Sequence, residues 1–194
     1  MEKASNPFDY GTIADVLVSI DYTALSSADY RRQVIQSLGS DISAERPYSL
    51  RNQLADQWYD LHNPDQSKTP MTVQFSSFAE DFPPNVDDLR IQQVLLYFSL
   101  ADGKNFEIPV AALRFSEQGT VGAIGGAATS IDGVISTRRG NAPSWTPMIG
   151  KTVVGDWELA FADNDRMRAY FADDDIQDIL FVITYSGQAA EWAA

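Results

Sequence analysis

The sequence predicts a mainly β protein, an antiparallel β-sandwich with a few short helices. From residue 69 onward, most apolar side chains recur at every second position, as they do in strands with one buried face. Turn-forming residues separate these segments at short intervals, and strands do not alternate with long helices as in parallel α/β proteins. With 194 residues in total, we expect a single domain over residues 1–194, without internal repeats.

The N-terminal part of the chain predicts a strand and a helix. Residues 12–23 alternate apolar and polar side chains, which is typical of a strand. Ser26 or Ser27 can cap the helix that follows, and Gly39 can end it in the left-handed conformation. The apolar side chains of this helix, which we expect to stack at four-residue spacing, are Tyr30, Val34 and Leu38.

A second short helix is predicted after Ser49, whose hydroxyl can cap it. Asn63 and Pro64 should end this helix, because proline cannot continue the backbone hydrogen bonding. Its apolar side chains are Leu50, Leu54, Trp58 and Leu61.

The middle of the chain predicts three strand segments and a turn. Residues 69–78 alternate, whereas residues 89–100 are apolar on both faces in the middle, which is typical of a central strand between two layers. Residues 102–105 predict a turn, after which residues 106–115 should return as the hairpin partner. Pro109 within that partner favours an edge position or a bulge.

Two segments rich in glycine, alanine, serine and proline, residues 119–126 and 140–150, predict long loops around a short strand at residues 131–137. The first segment has neither the dinucleotide-binding pattern nor the lysine and spacing of a nucleotide phosphate loop. We interpret it as a flexible or closely packed loop.

The last elements are a strand at residues 157–161, a helix and a buried strand at residues 178–185. Asp163 or Asn164 can cap the helix. Its inward-facing side chains should be Met167 and Phe171.

Composition excludes several classes of function. The chain carries 14 Lys and Arg against 27 Asp and Glu, a formal charge of −13, which argues against nucleic acid and anionic membrane partners. A basic protein surface, a cationic ligand or simple solubility remain compatible with this charge. The absence of cysteine excludes disulfides and thiolate chemistry. The chain has no secretory signal core and no stretch long enough to span a bilayer, so we expect no membrane insertion.

Catalytic and metal-binding patterns are weak. His62 is the only histidine and lacks a nucleophile-elbow context, so we expect it to be packed or to cap a loop. The acidic clusters at residues 87–88 and 173–175 do not follow an EF-hand pattern and are better interpreted as caps and turns. We predict no catalytic residue, no metal and no cofactor, and therefore a protein that is not an enzyme.

One basic pair in this acidic chain is a candidate binding site. Arg138 and Arg139 lie between a strand and a loop that carries Asn141 and Trp145, and arginine and tryptophan are common interface anchors. These four residues are the predicted protein-binding residues. The alternative is an internal role, in which Arg138 or Arg139 pairs with a carboxylate and holds the loop.

Several long segments, in order along nearly the whole chain, resemble the C-terminal, TcB-binding domain of Tc toxin A components. The resemblance rests on residues 6–16, 29–35, 56–61, 82–85, 131–141, 155–160 and 178–187. They include the runs Asn-Pro-Phe-Asp-Tyr, Ser-Thr-Arg-Arg-Gly-Asn and Gly-Asp-Trp-Glu-Leu-Ala. Because such a motif begins a few residues after Met1, we expect the chain to be a domain excised from a much larger toxin subunit.

The resemblance implies a β-rich domain that docks another protein. In this family the A component forms a pentamer, and its terminal domains bind the β-propeller of the TcB–TcC cocoon so that the toxic enzyme can enter the channel. It implies a bacterial, secreted and typically insecticidal toxin complex, with TcB as the partner. The alternative is a carbohydrate-binding β-sandwich that stacks sugars on exposed aromatic residues such as Trp145 or Trp192.

Overall fold

The computed structural model describes residues 20, 23, 27–37 and 39–189, without the side chains of residues 35–37. The predicted strand at residues 12–23 lies almost entirely outside these residues, as does Trp192. The chain divides into two units, residues 1–38 with residue 194, and residues 39–193. In the first unit, the described element is helix α1 (Ala28–Ser37). The prediction of one domain over residues 1–194 stays a prediction.

The second unit contains eight strands and three α-helices in its described part. The strands are β1 (Asp41–Ser49), β2 (Thr72–Ser77), β3 (Val86–Leu100), β4 (Pro109–Glu117), β5 (Ile124–Thr129), β6 (Val134–Ser136), β7 (Gly155–Phe161) and β8 (Ile176–Ala189). The helices are α2 (Leu50–Gln53), α3 (Ala55–His62) and α4 (Asp165–Ala172). Short 3-10 helices lie at Pro64–Gln66, Ala79–Asp81 and Pro143–Met148.

The strands form two four-stranded antiparallel sheets. The first has the order β1-β8-β3-β6 and the second the order β2-β7-β4-β5. This architecture confirms the predicted fold class, a mainly β, sandwich-like protein with a few short helices. The inner strands carry large, fully buried side chains, Phe98 and Phe181 in the first sheet and Phe115 and Trp157 in the second.

Aromatic side chains join the two sheets in the core. Trp157 of β7 lies 4.3 Å from Phe115 of β4 and 4.6 Å from Phe181 of β8, measured between ring centroids. All three side chains are at most 1% exposed. The indole Nε1 of Trp157 donates to Ser77 Oγ at 2.9 Å, so its polar group is satisfied inside the core.

Most of the predicted helix caps are found. Ser27 Oγ accepts from Tyr30 N at 3.2 Å at the start of α1, and Ser49 Oγ accepts from Asn52 N at 3.0 Å at the start of α2. Asn164 Oδ1 accepts from Met167 N at 2.9 Å at the start of α4.

The left-handed conformation predicted for Gly39 after α1 stays a prediction, because its φ involves residue 38, which lies outside the described residues. One detail of the helix predictions is wrong. The single helix predicted after Ser49 is two helices, because Leu54 leaves the helical conformation with φ −119° and ψ 54°. The second of them ends at His62, with Asn63 as its C-cap before Pro64, as predicted.

The predicted pairing of the middle strands is also wrong. The turn at residues 102–103 is present, but β4 pairs with β7 and β5 in the other sheet and not with β3. The chain therefore crosses from one sheet to the other. Pro109 is the first residue of β4, and a bulge follows after Val110. Strand β3 is central as predicted, although Tyr97 on its outer face is 41% exposed and thus not covered by a second layer.

Two strands lie where the sequence did not predict them. Strand β1 occupies a polar segment that we assigned to no element, and it pairs with β8 along all nine of its residues. Strand β5 begins at Ile124, within the segment interpreted as a loop. Its glycines are closely packed: a Cβ on Gly125 would lie 2.0 Å from Leu113 O. None of the described helices is long and apolar enough to cross a membrane.

Candidate binding surface

The predicted binding residues lie in one segment that links the two sheets. This segment runs from β6 through a turn at residues 137–140 to the 3-10 helix Pro143–Met148. Backbone hydrogen bonds hold the turn, since Ser136 O accepts from Arg139 N at 3.2 Å and Ser136 Oγ accepts from Arg138 N at 3.1 Å. The turn is therefore anchored to β6.

Asn141 connects the free edges of both sheets. Its Oδ1 accepts from Ser136 N at 3.0 Å, and its Nδ2 donates to Val134 O at 2.9 Å, so the side-chain amide pairs with β6 as a neighbouring strand would. The same Nδ2 donates to Thr129 O of β5, also at 2.9 Å. One amide thus satisfies three backbone groups from two different sheets.

The 3-10 helix that follows covers the edge of β5. Trp145 Nε1 donates to Gly126 O at 2.8 Å, and Ser144 Oγ donates to Ala127 O at 2.7 Å. Side chains thereby occupy carbonyl groups that an edge strand would otherwise leave open. Trp145 is 0% exposed and belongs to the core cluster. The expectation of an exposed aromatic at this position is wrong, because the loop folds back onto β5 and buries the indole.

The two arginines lie on the surface of this segment. Arg139 Nη1 donates to Ile131 O at 3.0 Å, which fixes its side chain across the turn through a backbone carbonyl and not through a carboxylate. Arg138 is exposed, and its guanidinium makes no hydrogen bond or ion pair with the described part of the chain. Of the four predicted residues, Arg138 is therefore the side chain most available to a partner.

A shallow groove of about 370 Å³ lies beside a different turn, at Asp132 and Gly133, which precedes β6. Tyr97 and Lys104 also line this groove. Lys104 Nζ lies 2.9 Å from Asp175 Oδ1, and the hydrogen bond between these groups raises the pKa of the Lys104 ammonium. Sequence patterns did not single out this groove, because its residues come from three separate segments.

The remaining candidates have structural roles. His62 Nδ1 lies 2.9 Å from Trp58 O, and its ring packs against Trp58 and Phe171, as expected for a packed histidine. Among the acidic residues, Asp173 caps α4 and Asp174 adopts φ 54° in the turn that follows. Across residues 20, 23, 27–37 and 39–189, no three metal-ligating side chains cluster.

A second groove, of about 400 Å³, lies on the outer face of the sheet that contains β7. Its charged groups have polar partners within the groove: Arg114 binds Glu158, and Ser76 Oγ donates to Asp156 Oδ1 at 2.7 Å. The aromatic rings at this groove, Phe75 and Trp157, are buried in the core. Sugar stacking on an exposed ring therefore has no support in the lining of this groove.

We expect Asn141→Ala to lower the free energy of unfolding by about 2–4 kcal/mol, because it leaves Ser136 N and Thr129 O without their side-chain partner and removes one of the two donors to Val134 O. Asn141→Asp retains the shape of the side chain but loses both donated hydrogen bonds. It should destabilise the protein at least as much as Asn141→Ala does. Urea unfolding of both variants provides the test. A stable Asn141→Asp protein would contradict the role of the amide donor.

Comparison with known proteins finds a likeness to solved structures. No family model and no curated protein sequence matches this chain. Among solved structures, a chain of the cryo-EM structure of Yersinia pseudotuberculosis TcaA–TcaB matches with a TM-score of 0.51 and 17% identity over 77% of the present chain. The fold is shared with that TcaA–TcaB chain. The present chain spans 10% of its length.

At this identity the likeness establishes the fold alone. It agrees with the β-rich domain that the Tc toxin resemblance implies. The assignment to the TcB-binding domain, and the contact of Arg138, Arg139, Asn141 and Trp145 with a partner, stay predictions.

Proposed function

We propose that this chain is a non-enzymatic docking domain of a Tc toxin A component, which binds the TcB β-propeller of the TcB–TcC cocoon. The observation that carries the proposal is the fold shared with part of a TcaA–TcaB chain over 77% of the present chain. The ordered motifs of the sequence support the same family. In this proposal the parent subunit is a secreted bacterial protein that assembles as a pentamer, and docking opens the cocoon for translocation.

The geometry of the candidate surface suits a docking role. Arg138 projects from a turn that Asn141 and Trp145 fix to both sheets, so little backbone conformational entropy would be lost when a partner binds. A guanidinium with no partner in the described residues can donate several hydrogen bonds in a fixed geometry. The formal charge of −13 would also speed encounter with a basic surface on the partner.

Binding of the purified chain to a TcB–TcC complex tests this proposal. We expect Arg138→Ala to weaken the complex by about tenfold, the loss typical of one well-placed interface arginine, and to leave the melting temperature unchanged. Biolayer interferometry with the immobilised chain would measure both association and dissociation.

Arg166→Ala is the matched control, because Arg166 is an exposed arginine whose hydrogen bond is local, to Tyr170 on the same helix. It should bind like the original chain. If the original chain does not bind TcB–TcC at all, the proposed function is wrong. If it binds and Arg138→Ala binds equally well, the docking role stands and the interface lies elsewhere.

A further inference from the structure

Within the described residues, no strand pairs with the outer edge of β1. Ala189 N donates to Ser40 O at 2.7 Å, which places the pair formed by residues 40 and 189 in the hydrogen-bonded position of the antiparallel ladder. Because this position alternates along a ladder, the backbone groups of Asp41, Ser43 and Glu45 point away from β8. The backbone N–H and C=O groups of these three residues make no hydrogen bond with the described part of the chain.

Two further residues agree with this assignment. Pro47, which has no N–H to donate, occupies the next outward position, as expected for a proline in an edge strand. Ser49 N, one position further, also points away from β8 and donates to Gln53 Oε1 at 3.1 Å. Among the described residues, the outward backbone groups of β1 from Asp41 to Pro47 therefore have no partner.

The other strand edges are treated differently. Asn141 occupies the edge of β6, and Ser144 and Trp145 occupy carbonyls of β5. At the edge of β2, Gln57 Nε2 donates to Gln74 O at 3.0 Å. Side-chain caps of this kind prevent the addition of a further strand. Strand β1 has no such cap between Asp41 and Pro47 within the described residues.

The side chains of β1 define what a neighbouring strand should contain. Asp41, Ser43 and Glu45 are exposed on the outer face of the sheet, and neither carboxylate forms an ion pair with the described part of the chain. On the inner face, Ile42 and Ala44 are half-buried against the core. Asp41 accepts a hydrogen bond from Gln188 Nε2 and Glu45 Oε1 accepts one from Thr184 Oγ1 at 3.5 Å, but neither donor carries a charge. A strand beside β1 would thus meet two carboxylates without a cation on one face and apolar surface on the other.

A second copy of this chain is a poor occupant for this edge. In a symmetric antiparallel pair centred on Ser43, Asp41 of each copy would face Glu45 of the other. Like charges directly opposite each other destabilise a strand pair. Basic side chains at the same positions would instead form two cross-strand ion pairs.

We propose that β1 binds an extended segment of another protein by strand addition, and that this segment has the pattern basic, apolar, small, apolar, basic. Backbone hydrogen bonds to Asp41, Ser43 and Glu45 would hold the segment, and its two basic residues would face the two carboxylates. The proposal does not rest on the docking function proposed above, because β1 and β6 lie at opposite edges of their sheet.

The test uses the full chain and a fluorescein-labelled peptide with the central sequence Lys-Val-Ser-Val-Lys, with Glu-Val-Ser-Val-Glu as its charge-reversed control. Fluorescence anisotropy should show saturable binding of the basic peptide and at least about tenfold weaker binding of the acidic one. Ser43→Pro removes one outward N–H without breaking a bond to β8, so it should weaken binding of the basic peptide at least about tenfold. Ser43→Ala retains that N–H and should bind within about threefold of the original chain.

A second variant guards against a folding defect in Ser43→Pro. Reversal of both charges, Asp41→Lys with Glu45→Lys, should switch the preference to the acidic peptide. Absence of basic-peptide binding to the original chain, or equal binding by Ser43→Pro with an unchanged melting temperature, would overturn the proposal. So would a dimer in sedimentation that Ser43→Pro abolishes, since that result would make a second copy the occupant.

Discussion

Trp145→Ala should lower the free energy of unfolding by about 3–5 kcal/mol, among the largest losses that a single substitution in this chain can cause. The indole is 0% exposed within the core cluster, so its removal leaves a large cavity between the loop and the β4–β5 pair. The hydrogen bond from Nε1 to Gly126 O is lost at the same time. Equilibrium unfolding in urea would give the difference directly.

Two variants separate packing from hydrogen bonding at this position. Trp145→Phe retains most of the buried volume but not the donor, and should cost about 1–3 kcal/mol. Tyr59→Ala removes an aromatic side chain that is 53% exposed, and should cost no more than about 0.5 kcal/mol. If Trp145→Ala were as stable as Tyr59→Ala, the indole could not be packed as described.

Gly125→Ala is the second substitution with a large expected effect, at least about 3 kcal/mol of lost stability. Gly125 has φ +125°, which an alanine rarely adopts. A Cβ there would also lie 2.0 Å from Leu113 O and 2.6 Å from Met148 Cε, and the first of these atoms belongs to the backbone. Strand β5 would have to move away from β4.

Gly119→Ala is its matched control. Gly119 also has a positive φ, of +79°, but a Cβ there would meet no atom within 4 Å. Gly119→Ala should therefore lose only the stability needed to hold an alanine at a positive φ, roughly 1–2 kcal/mol. Thermal and urea unfolding should therefore show that the Gly125→Ala variant is clearly less stable than the Gly119→Ala variant. Equal effects would mean that the close approach of β5 to β4 does not contribute.

The fold class could be predicted because apolar and polar side chains alternate along a strand that buries one face of its sheet. Strand β7 shows the principle, since Trp157, Leu159 and Phe161 are all buried between more exposed neighbours. Strand β1 shows its limit. Ile42 and Ala44 alternate with polar residues, but Arg46 and Pro47 interrupt the pattern. Only the pairing with β8, far along the chain, makes this segment a strand.

The pairing of strands and the exposure of loop residues could not be predicted in the same way. A turn at residues 102–103 indicates that the chain reverses direction, but not which sheet it enters next. Trp145 lies among glycine, proline and serine, a composition typical of surface loops, yet its environment comes from β5 and the core. Arg138 is exposed and its guanidinium has no partner in the described residues, but its contact with another protein stays a prediction.

The central position of β8 has a consequence for synthesis of the protein. This strand pairs with β1 on one side and β3 on the other, so the two strands remain without their shared neighbour until residues 176–189 have left the ribosome. Strand pairs that are distant in sequence form slowly and late. Nascent chains should therefore expose apolar surface on both early strands and depend on chaperones until translation of β8 is complete.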